Sequence, residues 1–121
     1  MSLDKELIAS LFDPIIAHPN VEASILYSRG GVPIIINPPN YENDFLFKQM
    51  GFVIRSEWSL RDIYTDPDQW RIVTRQLGAY VVLLAQLSRM LLLGIILTTI
   101  DEQIEAFLLN SVDNIRETLF E

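Results

Sequence analysis

Five groups of residues have the types and spacing that chemistry uses. His18 is the sole histidine, and the chain has no cysteine. A zinc site needs several His or Cys ligands, so metal catalysis has almost no material. A Ser-His-acid triad would have to use His18, which stands before Pro19; a solvent-facing helix terminator is the simpler reading. Gly30-Gly31 invites a phosphate loop, but Val32-Pro33 follows instead of a helix or a Lys-Ser/Thr pair, so the glycines read as a hairpin turn. Asp62, Asp66 and Asp68 lack the glycine and the closing glutamate of a calcium loop. Asp101, Glu102 and Glu105 stand where a helix would begin, and the helix dipole accounts for them without acid–base work. Arg89 has the form of a finger offered to a nucleotide enzyme, although a solvated turn arginine looks the same. No catalytic base, nucleophile or metal set emerges. The sequence reads as a non-enzyme with no cofactor.

Composition narrows the classes further. The 121 residues make one domain's worth of chain, so 1–121 is read as a single domain. Half the residues are hydrophobic and 21% are charged, which excludes intrinsic disorder. The net charge of -7 argues against nucleic acid, whose binding needs cations to displace phosphate counterions. Six acids against one arginine in residues 101–121 concentrate that charge at the C-terminal end. The opening Met1-Ser2-Leu3-Asp4-Lys5-Glu6 lacks the basic, apolar and small-residue segments of a signal peptide, so a cytoplasmic location is expected.

The elements that position these residues follow from hydrophobic spacing. Leu3, Leu7, Leu11 and Ile15, widened by Ile8, Phe12 and Ile16, predict a helix over 2–17 with Ser2 as its cap and Pro14 kinking it or starting a new turn. Val21 to Tyr27 is a strand, Arg29-Gly30-Gly31 a turn, and Val32 to Ile36 the return strand. Pro33 lacks an N–H, which places this strand at an edge or Pro33 at its start. Leu46, Met50, Val53 and Leu60 predict a middle helix over 43–63 capped by Asn43 or Asn40, with Gly51 weakening it by about 1 kcal/mol relative to Ala. Gln69 to Gln76 alternates as a strand and is an edge if the sheet follows the hairpins. A last helix runs over 101–120, with Thr99 and Glu102 as a capping box and Ile104, Leu108, Val112, Ile115 and Leu119 as its buried stripe.

Residues 77–100 carry two readings. They are long enough to cross a bilayer as one helix, and the insertion cost of Arg89, about 2.5–3.5 kcal/mol, is within reach of the surrounding Leu, Ile and Val. Alternatively Tyr80–Leu87 and Met90–Leu97 are two strands turning at Ser88-Arg89, apolar on both faces because helices cover both sides of the sheet. The second reading gives the order α-β-β-α-β-β-β-α: an α/β sandwich, in class α+β, with a five-stranded antiparallel sheet and helices on both faces.

The surplus is apolar. The middle helix carries Phe45, Phe47, Phe52, Trp58 and Tyr64 beside its aliphatic stripe. One surface helix on a small sheet does not easily bury them all, so a second chain is expected to cover some.

The run Asn20-Val21-Glu22-Ala23 through Tyr27-Ser28-Arg29-Gly30-Gly31-Val32-Pro33-Ile34, with the strand-hairpin-strand-helix spacing of 70–120, resembles the roadblock/dynein light chain family, a fold akin to longin and profilin. Asn20 and Ala23 replace glycines usual there, Gly30 replaces an aspartate, and the middle helix is aromatic where the family is often alanine-rich. The resemblance favours strands over a span at 77–100. It implies a non-enzymatic homodimer in which middle helices pack together and edge strands, here 70–76, pair. Such dimers bind and regulate small Ras-like GTPases or scaffold assemblies. By position, the resemblance makes Phe45, Met50, Phe52, Trp58, Trp70, Ile72 and Thr74 the interface candidates. Two other readings stand beside it. One is a profilin- or PAS-like small-ligand sensor whose middle-helix aromatics line a pocket; the other is a small membrane-anchored protein with a span at 77–100.

Overall fold

The computed structural model describes residues 5–28, 31–43, 45–64, 72–87 and 91–120. Its elements are α1 (Lys5–Ile16), β1 (Val21–Ser28), β2 (Pro33–Asn37), a 3-10 turn (Pro39–Asn43), α2 (Phe45–Tyr64), β3 (Ile72–Leu77), β4 (Tyr80–Gln86), β5 (Leu91–Leu97) and α3 (Glu102–Phe120). The strands form one antiparallel sheet in the order β2-β1-β5-β4-β3. This is the α+β sandwich expected from the sequence.

Residues 77–100 are therefore not one bilayer-crossing helix. They hold β4 and β5, neighbours in the middle of the sheet. Among the described residues, no helix is long and apolar enough to cross a membrane. Burial explains why this segment is apolar at every position. Side chains alternate across a strand, and both faces of these strands are covered. On one face Leu26, Leu83, Ala85, Leu93 and Ile95 meet Phe12 and Ile15 of α1 and Ile104, Leu108, Val112 and Ile115 of α3. On the other, Ala23, Ile25, Tyr27, Val82, Leu84, Leu92 and Ile96 meet Met50 and Ile54 of α2 and Tyr41 of the 3-10 turn.

The turns are set by glycine where the backbone needs it. Gly78 has φ 62° in the two-residue link between Leu77 and Tyr80, and Gln76 donates its side-chain amide to the Gly78 carbonyl at 2.8 Å. Gly31 has φ 84° after β1 and donates its N–H to the Ser28 carbonyl at 3.0 Å. Both φ values lie where L-residues are strained. Pro33 opens β2, and β2 is an edge, so the missing N–H leaves no broken ladder inside the sheet.

Three local expectations are corrected. The cap of α3 is Asp101: its carboxylate accepts from the Ile104 N–H at 2.8 Å. The helix starts at Glu102, so Asp101 occupies the capping position and Thr99 lies too far back. The middle helix starts at Phe45, and Asn40 and Asn43 belong to the preceding 3-10 turn instead of capping it. Helix α1 runs through Pro14 to Ile16. Its proposed cap, Ser2, lies outside the described residues, as do the Ser88-Arg89 turn, Asp66 and Asp68.

Candidate functional site

The residues with chemical potential do not gather into a reactive site. His18 is half-buried, not simply facing solvent. Its Nδ1 accepts from the Asn20 N–H at 3.1 Å, and its ring lies 5.3 Å from that of Phe107 at an interplanar angle of 36°. It fastens the end of α1 to α3. Arg116 plays a similar part at the other end of α3. Its guanidinium donates to the Gln86 carbonyl, from Nε at 2.9 Å and also from a terminal nitrogen, and Asp113 stands 3.5 Å away. Burial pulls this guanidinium below the usual arginine range, and the Asp113 charge opposes that pull. Among the described residues, no three His, Cys, Asp or Glu side chains converge as metal ligands would.

What the structure does assemble is a surface. Phe45 is 70% exposed and Phe52 73%. Seven residues apart, they lie on one side of α2, two turns from each other. Leu46, Phe47 and Val53 are partly buried toward the sheet, and Ile54 is fully buried. Met50, grouped with the interface by sequence position, belongs to the core. It is 0% exposed, and a Cβ built on Gly94 of β5 would lie 2.5 Å from its Cε. Gly94 thus removes the side chain that would hold Met50 off the sheet. A residue so enclosed offers nothing to a partner.

The edge candidates divide. Thr74 is exposed on β3, opposite Leu83, with Arg75 and Gln76 exposed beside it. Strand β3 is the outer strand of the sheet, as its position after α2 suggested. Ile72 opens that strand, opposite Ala85. Nothing is described of the side chains of Trp58 and Ile72, and Trp70 lies outside the described residues.

A second feature was not anticipated at these positions. A cavity of about 230 Å³ lies between the β1–β2 hairpin and α2, lined by Tyr27, Gly31, Pro33, Phe47, Lys48 and Gly51. Its one sequence signal was Gly51, a poor helix residue in mid-helix.

No family model matches the chain, and no curated protein matches it. Solved structures do. A roadblock/LC7 domain from Streptomyces avermitilis superposes with a TM-score of 0.63 at 15% identity, covering 99% of this chain and 100% of that one. MglB of Myxococcus xanthus gives 0.71 at 8% identity, covering 96% and 97%. An MglB structure with a tetrameric arrangement gives 0.69 at 7% identity, covering 97% and 92%. At such identities the likeness is one of backbone architecture, and it extends over nearly every element described above. The chain has the roadblock/LC7 fold.

Proposed function

We propose that residues 1–121 act as one domain and form a cytoplasmic, non-enzymatic homodimer that scaffolds or regulates a small Ras-like GTPase. The observation that carries this reading is the pair Phe45 and Phe52, each more than two thirds exposed on the outward side of α2. Two large aromatic rings on one helix face are an apolar patch of the kind that marks an interface. A second copy of the same helix is self-complementary to it. The outer strand β3 supports the same arrangement, because edge-to-edge pairing with another β3 satisfies its free backbone groups. The contacts assigned to this interface are Phe45, Phe52, Trp58, Trp70, Ile72 and Thr74, without Met50. The MglB structure with a tetrameric arrangement shows that this fold builds assemblies. The GTPase partner rests on the resemblance to roadblock-family regulators. The net charge of -7 disfavours nucleic acid as a partner.

Light scattering at micromolar concentration tests the first half: the expected mass is twice 13.9 kDa, and a persistent monomer defeats it. The second half is tested by capture from the source cell with the tagged dimer, in GTP-analogue and GDP buffers. A small GTPase retained in a nucleotide-dependent way is the expected result. A dimer that retains none sinks the regulatory role.

A further inference from the structure

We infer that the cavity between α2 and the β1–β2 hairpin is a binding site for a small aryl carboxylate, a single ring bearing a short acidic arm. The inference is independent of dimerisation. Residues 47, 48 and 51 lie on the flank of α2 toward the hairpin, whereas Phe45 and Phe52 point away from the sheet.

Three observations meet there. The first is Gly51. Glycine inside a helix costs about 1 kcal/mol relative to Ala, and usually some close approach of backbone explains it. None does here: a Cβ at Gly51 would meet nothing within 4 Å. The missing side chain instead leaves one wall of the cavity open. The second is Tyr27, which lines the cavity and is 1% exposed. Its hydroxyl is buried with no hydrogen-bond partner among the described residues. An unsatisfied buried hydroxyl costs about 1–3 kcal/mol, and an acceptor placed in the cavity removes that cost. The third is the character of the wall. Phe47, Pro33 and the Tyr27 ring are apolar; Lys48, exposed, contributes the one charge; no acidic residue lines the space. The Gly31 N–H is already given to Ser28.

The polar groups that remain, a phenol O–H and an ammonium, are both donors. The ligand must bring the acceptor, and an anionic acceptor answers both. The apolar wall asks for a ring or branched hydrocarbon beside it. Size sets the limit. The cavity would hold about eight waters at roughly 30 Å³ each, below the range of about 300–1,000 Å³ typical of drug-sized sites. One ring and a two- or three-carbon acid arm fill it.

The test uses the full chain, labelled with nitrogen-15, and 3-phenylpropionate as the probe. Saturable shifts are expected at the amides of Gly31, Phe47, Lys48 and Gly51, with a dissociation constant of about 0.1–1 mM. Gly51→Leu should abolish them while keeping the fold, because Leu has room there and is the better helix residue. Lys48→Gln and Tyr27→Phe should each weaken binding about three- to tenfold. The uncharged 3-phenylpropanamide should bind at least about threefold more weakly than the acid. Four outcomes overturn the proposal: no shifts at about 10 mM probe, shifts that survive Gly51→Leu, an amide that binds as tightly as the acid, or saturation only by an aromatic peptide.

Discussion

The two helical layers bury the sheet equally well and end differently on their outer sides. Helix α3 puts Ile104, Leu108, Val112 and Ile115 into the core and turns Glu102, Glu105, Asn110, Asp113, Asn114 and Glu117 outward. Its largest exposed apolar residue, Leu109, is 39% exposed. Helix α2 puts Met50 and Ile54 into the core and turns Phe45 and Phe52 outward. An outer face rich in acids and amides is finished by water. An outer face with two phenylalanines is finished by protein. The lesson is that core quality does not reveal an interface; only the side facing away from the core does.

The comparison breaks most directly at its shared premise, that both layers are equally docked. Leu108 and Ile54 are each 0% exposed, one per layer. Leu108→Ala and Ile54→Ala should each lower stability by about 2–5 kcal/mol in urea unfolding. If Ile54→Ala costs under about 1 kcal/mol, α2 is not packed as α3 is, and its exposed rings lose their meaning. The next test sharpens the outer faces. Phe52→Glu should weaken the dimer at least about 30-fold, read by light scattering over a dilution series, as expected of a central aromatic contact. Leu109→Glu on the solvated side of α3 should leave the mass unchanged. Equal effects from the two would erase the distinction.

Much of this contrast was legible in the sequence, and its limits are physical. The hairpins were visible because Gly31 and Gly78 stand where positive φ is required. The buried strands were visible because residues 80–97 are apolar on both faces. Which aromatics point outward was not visible, since a broad apolar helix fixes no phase. Met50 lies inward because Gly94, 44 positions later, leaves it space on the sheet. The cavity was hidden for the same reason: Tyr27 and Pro33 reach it from the hairpin and Lys48 and Gly51 from the helix. Within β1, where the described positions 23–27 are all buried, nothing marks one hydroxyl as unpartnered.

The helix ends give a smaller test. Asp101 caps α3 through the Ile104 N–H. Asp101→Ala should lower stability by about 1 kcal/mol, as loss of an N-cap does. Thr99→Ala should be close to neutral, because Thr99 is outside the helix and exposed. The reverse result would restore Thr99 as the cap and shift the start of the helix that finishes the solvated layer.

The smallest effect belongs to the α2 side of the sheet and reads out its one buried phenol. Burial holds the Tyr27 hydroxyl well above its ordinary value of 10.0. Above pH 10 the unfolded chain gives up this proton while the folded chain keeps it. The unfolded state then binds fewer protons, so stability falls as pH rises. The contribution is fully present below pH 10 and amounts to a loss of about 0.8 kcal/mol by pH 10.5. Tyr27→Phe has no such proton, so its stability should decline less between pH 9 and 10.5, measured by urea unfolding at each pH. At pH 7 the variant should be equal to the wild type or slightly more stable, because it removes a hydroxyl with no partner. A variant that is clearly less stable at pH 7 would mean the hydroxyl is satisfied in the native state. The α2 layer would then be as fully paired on its inner side as the α3 layer, leaving the outward phenylalanines as the only difference between them.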